Sequence, residues 1–311
     1  MHHVDILHAI GGTPLVELRH LSPNKDVRLF AKLEGRNPTG SIKDRIVREM
    51  VVQAQGDGRL APGDRIIEAS TGNTGIALAM VGRALGFPVR IVIPQNVYPE
   101  IPRTIAAYGA EITYVPSALG VAKAIDVART IAADEGWFML DQFSDPANVR
   151  AHYEGTGPEI LADVPHVDLF VAGLGTGGTL MGVGRRLKEA NPDARVIAVE
   201  PHPGYQIHGL KSLADGFVPP LLDYDLLDGK ILVRSGHAFR GAAQLMQCEA
   251  IFGGVSSGAV LHGALKAIQR FPRGNVVLIF ADSGWKYLAT DMWTQPPAED
   301  EEDQLDDVIW W

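Results

Sequence analysis

A single cysteine, Cys248, stands in a chain of 311 residues. One thiol excludes a disulfide framework and a thiolate metal cluster. The ten histidines are scattered and form no H-E-x-x-H pair, so no metal site is expected. No apolar run is long enough to cross a bilayer, and no charged-then-apolar leader opens the chain. A cytoplasmic protein without membrane attachment is therefore expected. Basic runs are missing as well. The net charge is −9, but Glu299, Asp300, Glu301, Glu302, Asp303, Asp306 and Asp307 crowd one segment that holds no base. Setting those acids aside leaves a body near −2, which gives no reason to expect a nucleic-acid partner.

What is present is ordinary globular material, 46% hydrophobic and 21% charged, and enough of it for two domains. From about residue 64 short apolar runs alternate with helical patterns. "DRIIEAS", "VRIVIP", "EITYVP", "WFMLDQF", "VDLFVAGLG", "RVIAVEP" and "NVVLIFADS" read as strands, and "GIALAMVGRALG" and "LGVAKAIDVARTIAADEG" as helices between them. Such alternation predicts α/β architecture: two doubly wound α/β domains, mostly parallel sheets, and a ligand cleft at the strand ends. Cys248, in "QCEAIFGG", is expected in the core.

Two strand–turn–helix junctions carry chemistry. "GLGTGGTLMGVG" places Gly175, Thr176, Gly177, Gly178 and Thr179 where a helix opens. Glycines let backbone N–H groups converge, and the helix dipole adds positive potential, so the turn suits a phosphate. The same stretch satisfies G-x-G-x-x-G through Gly173, Gly175 and Gly178, with Glu200 at the end of the next strand. A dinucleotide-dependent oxidoreductase therefore competes at this point. "STGNTG" offers Ser70, Thr71, Gly72, Asn73 and Thr74 at a second helix start, suited to a carboxylate.

"PTGSIKDR" raises a different question. Pro38, Thr39 and Gly40 read as a turn, Ser41 as the helix cap and Asp44 as its capping partner. Lys43 then lies in the first turn, where the dipole disfavours an ammonium and its pKa should fall. A lysine that sheds its proton readily is a nucleophile for an aldehyde, and pyridoxal 5′-phosphate is an aldehyde that carries its own phosphate.

Together, "PTGSIKDR", "STGNTG" and "GLGTGGT" resemble the cysteine synthase branch of the fold-type II pyridoxal-phosphate enzymes, a likeness running from "IGGTPLVEL" to "DSGWKYL". The resemblance implies a smaller domain of residues 1–12 and 35–147, a larger one of 13–34 and 148–295, and a flexible acidic tail over 296–311. It makes Lys43 the Schiff-base lysine and α-proton base. Asn73 becomes the contact to the ring hydroxyl, and Gly175, Thr176, Gly177, Gly178 and Thr179 the phosphate cup. Ser256, in "GGVSSGA", would face the pyridine nitrogen. Ser70, Thr71, Gly72 and Thr74, with Gln142 of "DQFSDPAN", would clamp the substrate carboxylate. The implied reaction turns an O-activated serine into an α-aminoacrylate, which a sulfur nucleophile converts to cysteine; a homodimer is implied too.

The segment "IHGLKSLADGFVPPLLD" departs from the shorter, uncharged stretch of the first isoform and is similar to the B-type. Some B-type enzymes use O-phosphoserine and a thiocarboxylated carrier protein, so Lys211 is a candidate partner for a substrate phosphate. Tyr205 and His208 are expected near the cleft, and His152 in a structural role. The ending "VIWW" resembles the extension of carrier-dependent enzymes and is expected to fold back, its terminal carboxylate in the Ser70–Thr74 loop.

Overall fold

The computed structural model describes residues 2–116, 120–298 and 308–310. Four strands, β3 (Ile66–Ala69), β4 (Val89–Pro94), β5 (Glu111–Val115) and β6 (Phe138–Met139), make one sheet in the order β5-β4-β3-β6, every pairing parallel. A seven-stranded sheet uses β1 (Leu15–Glu17), β2 (Val27–Leu33), β7 (Leu169–Gly173), β8 (Arg195–Pro201), β9 (Gly229–Val233), β10 (Gly274–Phe280) and β11 (Val308–Trp310). Its order is β1-β2-β10-β7-β8-β9-β11, and only the two outermost pairings are antiparallel.

Both sheets are covered on both faces, which is why their central strands are apolar at consecutive positions. In the smaller sheet, Ile66 and Ile91 pack with α1 (Lys43–Gly56) and α2 (Asn73–Leu85). Ile67 and Val92 on the other face meet Ala124, Ile125 and Ala128 of α4 (Gly120–Glu135). In the larger sheet, Phe170 and Ala172 pack on Leu180, Met181 and Val183 of α7 (Gly178–Ala190). Leu169 and Val171 face α8 (Ser235–Glu249) and α9 (Val255–Arg270). Among the described residues no helix is long and apolar enough to cross a membrane.

A buried ionic knot ties the start of α1 to the larger sheet. Arg45, 2% exposed, donates to Glu34 Oε2 at 2.6 Å and to Glu159 Oε2 at 2.7 Å. Lys32 of β2 reaches the same Glu159 at 2.8 Å. Breaking such a pair strands a charge in the interior, so Lys43, two residues from Arg45, rides on a fixed helix end.

One expectation changes. Cys248 is exposed on α8 and is not a core residue. In the tail, Val308, Ile309 and Trp310 pair with Ile231, Lys230 and Gly229, and the expected docking of the terminal carboxylate falls on Trp311, outside the described residues. Running antiparallel to β9, this strand heads for the amino end of its neighbour, away from the carboxyl ends where ligands sit. Trp311 and the acidic stretch 299–307, expected to be flexible, lie outside the described residues.

Candidate active site

Lys43 owes its position to the end of β10. Ile42 N–H donates to Ala281 O at 2.8 Å, and Ser41 forms an isolated antiparallel bridge with Asp282. Gly40 turns the chain with a φ of 80°, a conformation that favours glycine. The expected Ser41–Asp44 capping pair does not form. Ile42 precedes the helix, and Ser41 Oγ accepts the Lys43 N–H at 3.3 Å. Asp44 instead turns back to the preceding loop, accepting the Thr39 N–H at 2.7 Å and the Thr39 hydroxyl. Desolvation pushes the Asp44 carboxyl up to about 6 against those hydrogen bonds. Burial pulls the Lys43 amine down to about 8, opposed by the charge of Asp282. The direction is the one expected; the largest cause is desolvation rather than the helix dipole.

The second wall is the turn between β3 and α2. Ser70 Oγ accepts the N–H groups of Gly72 at 3.1 Å and Gly75 at 3.0 Å. Thr74 Oγ1 donates to Gln142 Oε1 at 2.7 Å, and Gln142 Nε2 donates to Ala69 O at 3.1 Å. The third wall is the turn from β7 into α7. Gly177 has a φ of 88° at the residue before the helix. A Cβ on Gly178 would lie 1.9 Å from Asn148 Oδ1. Asn148, fully buried on α5 (Ala147–Ala151), donates to Thr176 Oγ1 at 2.9 Å and to Gln142 O at 2.7 Å. His152 Nε2 lies 3.2 Å from Thr179 Oγ1, and burial holds the imidazole well below its usual pKa.

These walls meet in one cavity of about 650 Å³. It is lined by Lys43, by Ser70, Thr71, Gly72, Asn73 and Thr74, by Gln142, by Gly175, Thr176, Gly177 and Thr179, and by Lys211 and Ser256. Gly178 is the exception among the expected cup residues, buried in the first turn of α7 behind the lining. Tyr205 and His208 also face the cavity. Among the described residues no cluster suited to a metal is found.

The dinucleotide alternative loses its acid. Glu200 is 1% exposed, bonded to Lys230 Nζ at 2.5 Å, and accepts the Leu213 N–H at 2.8 Å. A carboxylate so engaged is not available to a ribose. Sequence reasoning missed Asn148 and the His152–Thr179 contact. It also left Asp282 unassigned and passed over Lys286 and Tyr287, which surround Asn73. None of these lies in a turn motif, although the "DPAN" and "DSGWKY" stretches that flank motif residues offered a place to look.

The cysteine synthase of Aquifex aeolicus is 41% identical over 300 residues, covering 93% of this chain and 92% of that protein. Cysteine synthase B of Salmonella typhimurium is 38% identical over 282 residues, covering 90% and 93%. The crystal structure of an O-ureido-L-serine synthase superimposes with a TM-score of 0.89 at 36% identity, covering 97% of this chain and 98% of that one. The family model for the pyridoxal-phosphate dependent enzyme matches residues 6–282. By that match, and by relatives this similar over nearly their whole length, the chain belongs to the pyridoxal-phosphate dependent enzymes.

Proposed function

We propose that the protein is a cysteine synthase. It binds an O-activated L-serine, O-acetylserine or O-phosphoserine, expels the β-substituent as acetate or phosphate, and joins a sulfur nucleophile at the β-carbon to give L-cysteine. The observation that carries this reading is the convergence of a deprotonation-prone lysine, two helix-start anion sites and a ring-edge serine on one cavity.

Pyridoxal phosphate fits the donor set. The glycines before α7 leave room for a phosphate against backbone N–H groups, and Lys43 supplies the amine. When bound, the cofactor supplies an electron sink for the bond between the substrate's α-carbon and its proton. Lys43 holds the cofactor and then moves that α-proton; a group near pKa 8 exchanges protons readily at neutral pH. The start of α2, with Thr74 and Gln142, binds the substrate carboxylate. Ser256 lines the cavity and would offer a hydroxyl to the ring nitrogen, which would leave that nitrogen uncharged and favour elimination over deeper carbanion chemistry. Lys211 lines the cavity as a cation whose pKa burial lowers and Asp215 raises, and it is the side chain offered to the leaving group. The sulfur arrives as sulfide or as the thiocarboxylate of a carrier protein, and the working unit is a homodimer.

The test is direct. Lys43→Ala should cut cysteine formation from either ester and sulfide by at least about 10³-fold. Borohydride should fix the cofactor to Lys43 in the wild type, read by peptide mass spectrometry. Comparing the two esters in Lys211→Ala reports on the leaving group. A cofactor-replete wild type that makes no cysteine from either ester would end this reading, and a ureido nucleophile in the same assay separates the reaction named for the solved relative.

A further inference from the structure

Behind Asn73 lies a polar cluster that no step above uses. Asp282 is 2% exposed, and Lys286 and Tyr287 are 1% exposed each. All three follow β10 and converge on one amide. Lys286 Nζ donates to Asn73 Oδ1 at 2.5 Å and to Gly40 O at 3.2 Å. Asn73 Nδ2 donates to Asp282 Oδ2 at 2.7 Å, and Tyr287 OH donates to the same oxygen at 2.5 Å.

An ammonium only donates and a carboxylate only accepts. Placed on opposite sides of one amide, they dictate which end of Asn73 is oxygen and which is nitrogen. A flipped amide would set its oxygen against a carboxylate and its N–H groups against an ammonium. Asn73 lines the cavity, with its amide also beside the Tyr287 oxygen. The carboxylate itself is tightly seated. Asp282 O accepts the Gly254 N–H at 3.0 Å, and a Cβ on Gly254 would lie 2.1 Å from Asp282 Oδ1. Asp282 Oδ1 is buried with no hydrogen-bond partner among the described residues, so Oδ2 takes the bonds from both Asn73 and Tyr287.

We propose that Lys286 and Asp282 are positioning residues that lock the Asn73 amide as a hydrogen-bond donor toward the ring oxygen of the cofactor. This rests on the reading above that Asn73 meets that oxygen. The donor stabilises the ring oxygen as an anion, and the Lys286 charge behind it adds to that field. The lock therefore tunes the electronic state of the ring as well as its seat. The charged and titratable groups facing this point are Lys43, Asp44, Tyr98, His208, Asp282, Lys286 and Tyr287.

The experiment uses cofactor-replete protein: wild type, Lys286→Met, Lys286→Arg and Asp282→Asn. The visible absorption maximum, its pH titration and the cofactor dissociation constant are read. Lys286→Met should shift the band and its titration midpoint and weaken cofactor binding about tenfold, the effect of one charge-assisted hydrogen bond. Lys286→Arg, which still only donates, should restore the wild-type band. Asp282→Asn keeps the shape and removes the charge that holds one side of the lock, so it should shift the band too; it stands in if Lys286→Met does not fold. Bands and titrations unmoved by Lys286→Met and Asp282→Asn would overturn the lock, as would a loss of thermal stability in Lys286→Met with an unshifted band. A wild type that forms no visible band with pyridoxal phosphate would sink the functional reading instead, which keeps the two failures apart.

Discussion

The turns after β3 and β7 both follow a parallel strand and open a helix onto the same cavity, yet they are braced in opposite ways. The Ser70–Thr74 turn braces itself, since Ser70 Oγ collects two of the turn's own N–H groups and Thr74 hooks Gln142, which hooks Ala69 of the same sheet. The Gly175–Thr179 turn has little side chain to brace with and is held from outside by Asn148 and His152. Beneath each lies a titratable group that burial keeps uncharged. Desolvation raises Glu68, just before Ser70, to about 8, with help from the charge of Asp141. Desolvation holds His152 neutral under the other turn, with Arg45 and Lys43 acting the same way. A charged Glu68 would oppose an anion in the turn above it, and a neutral carboxyl would not.

If the second turn depends on outside support, crowding the support should hurt it most. In Gly178→Ala the new Cβ, 1.9 Å from Asn148 Oδ1, must push Asn148 away from Thr176. Overpacking of this kind costs about 1–3 kcal/mol, so cofactor affinity should fall by up to about 100-fold, measured by equilibrium dialysis. An unchanged affinity would mean that the turn holds its own shape, as its counterpart does.

Gln142→Ala attacks the self-braced turn. Thr74 loses its acceptor, one ordinary hydrogen bond, and the KM for the serine ester should rise about tenfold while cofactor affinity stays within about twofold. Asn148→Ala sharpens the contrast. Its Nδ2 serves Gln142 O and Thr176 Oγ1 together, so both constants should worsen. Movement of only one would show that the two turns are not coupled through Asn148.

Glu68→Gln has a smaller effect with a defined pH window. The folded pKa, about 8, lies above the ordinary 4.5, so the native state binds the proton more tightly than the unfolded chain. The stability that Glu68 contributes is full below pH 4.5 and is lost as pH rises through about 8. Removing the titration should flatten that decline, leaving the variant relatively more stable at pH 9 than at pH 6 by roughly 3 kcal/mol, read by urea unfolding. Parallel pH profiles for the two proteins would mean that Glu68 is already ionised when folded.

Much of this site could be read in the sequence because its parts are local. "VRIVIP" coincides with β4, and Asn73 opens α2 inside the motif that marked it. What was illegible is what the chain assembles from far apart. β2 lies beside β10 with Phe30 opposite Val277, a partnership that no periodicity encodes. Lys286 meets Asn73 across a sequence separation of 213, and nothing local ties the two. Ser41 looked like a cap because the S-x-x-D spacing is right. The Ser41–Asp282 bridge and the burial of Asp44 against Thr39 set the local geometry instead. Cys248 looked apolar, but it falls on the exposed side of α8, and a single residue carries no periodicity of its own.

The tail offers the smallest effect and the clearest contrast with the two turns. A chain end seated in the Ser70–Thr74 turn would compete with substrate, whereas a strand on β9 only covers a sheet edge. Removing residues 308–311 takes away three paired positions and should cost about 1 kcal/mol or less. It should leave kcat/KM for the serine ester and for sulfide within about twofold. The exposed β9 edge should instead appear as concentration-dependent self-association in sedimentation. A severalfold gain in kcat/KM without any change in association would return the tail to the cavity and make β11 a resting place that the working enzyme abandons.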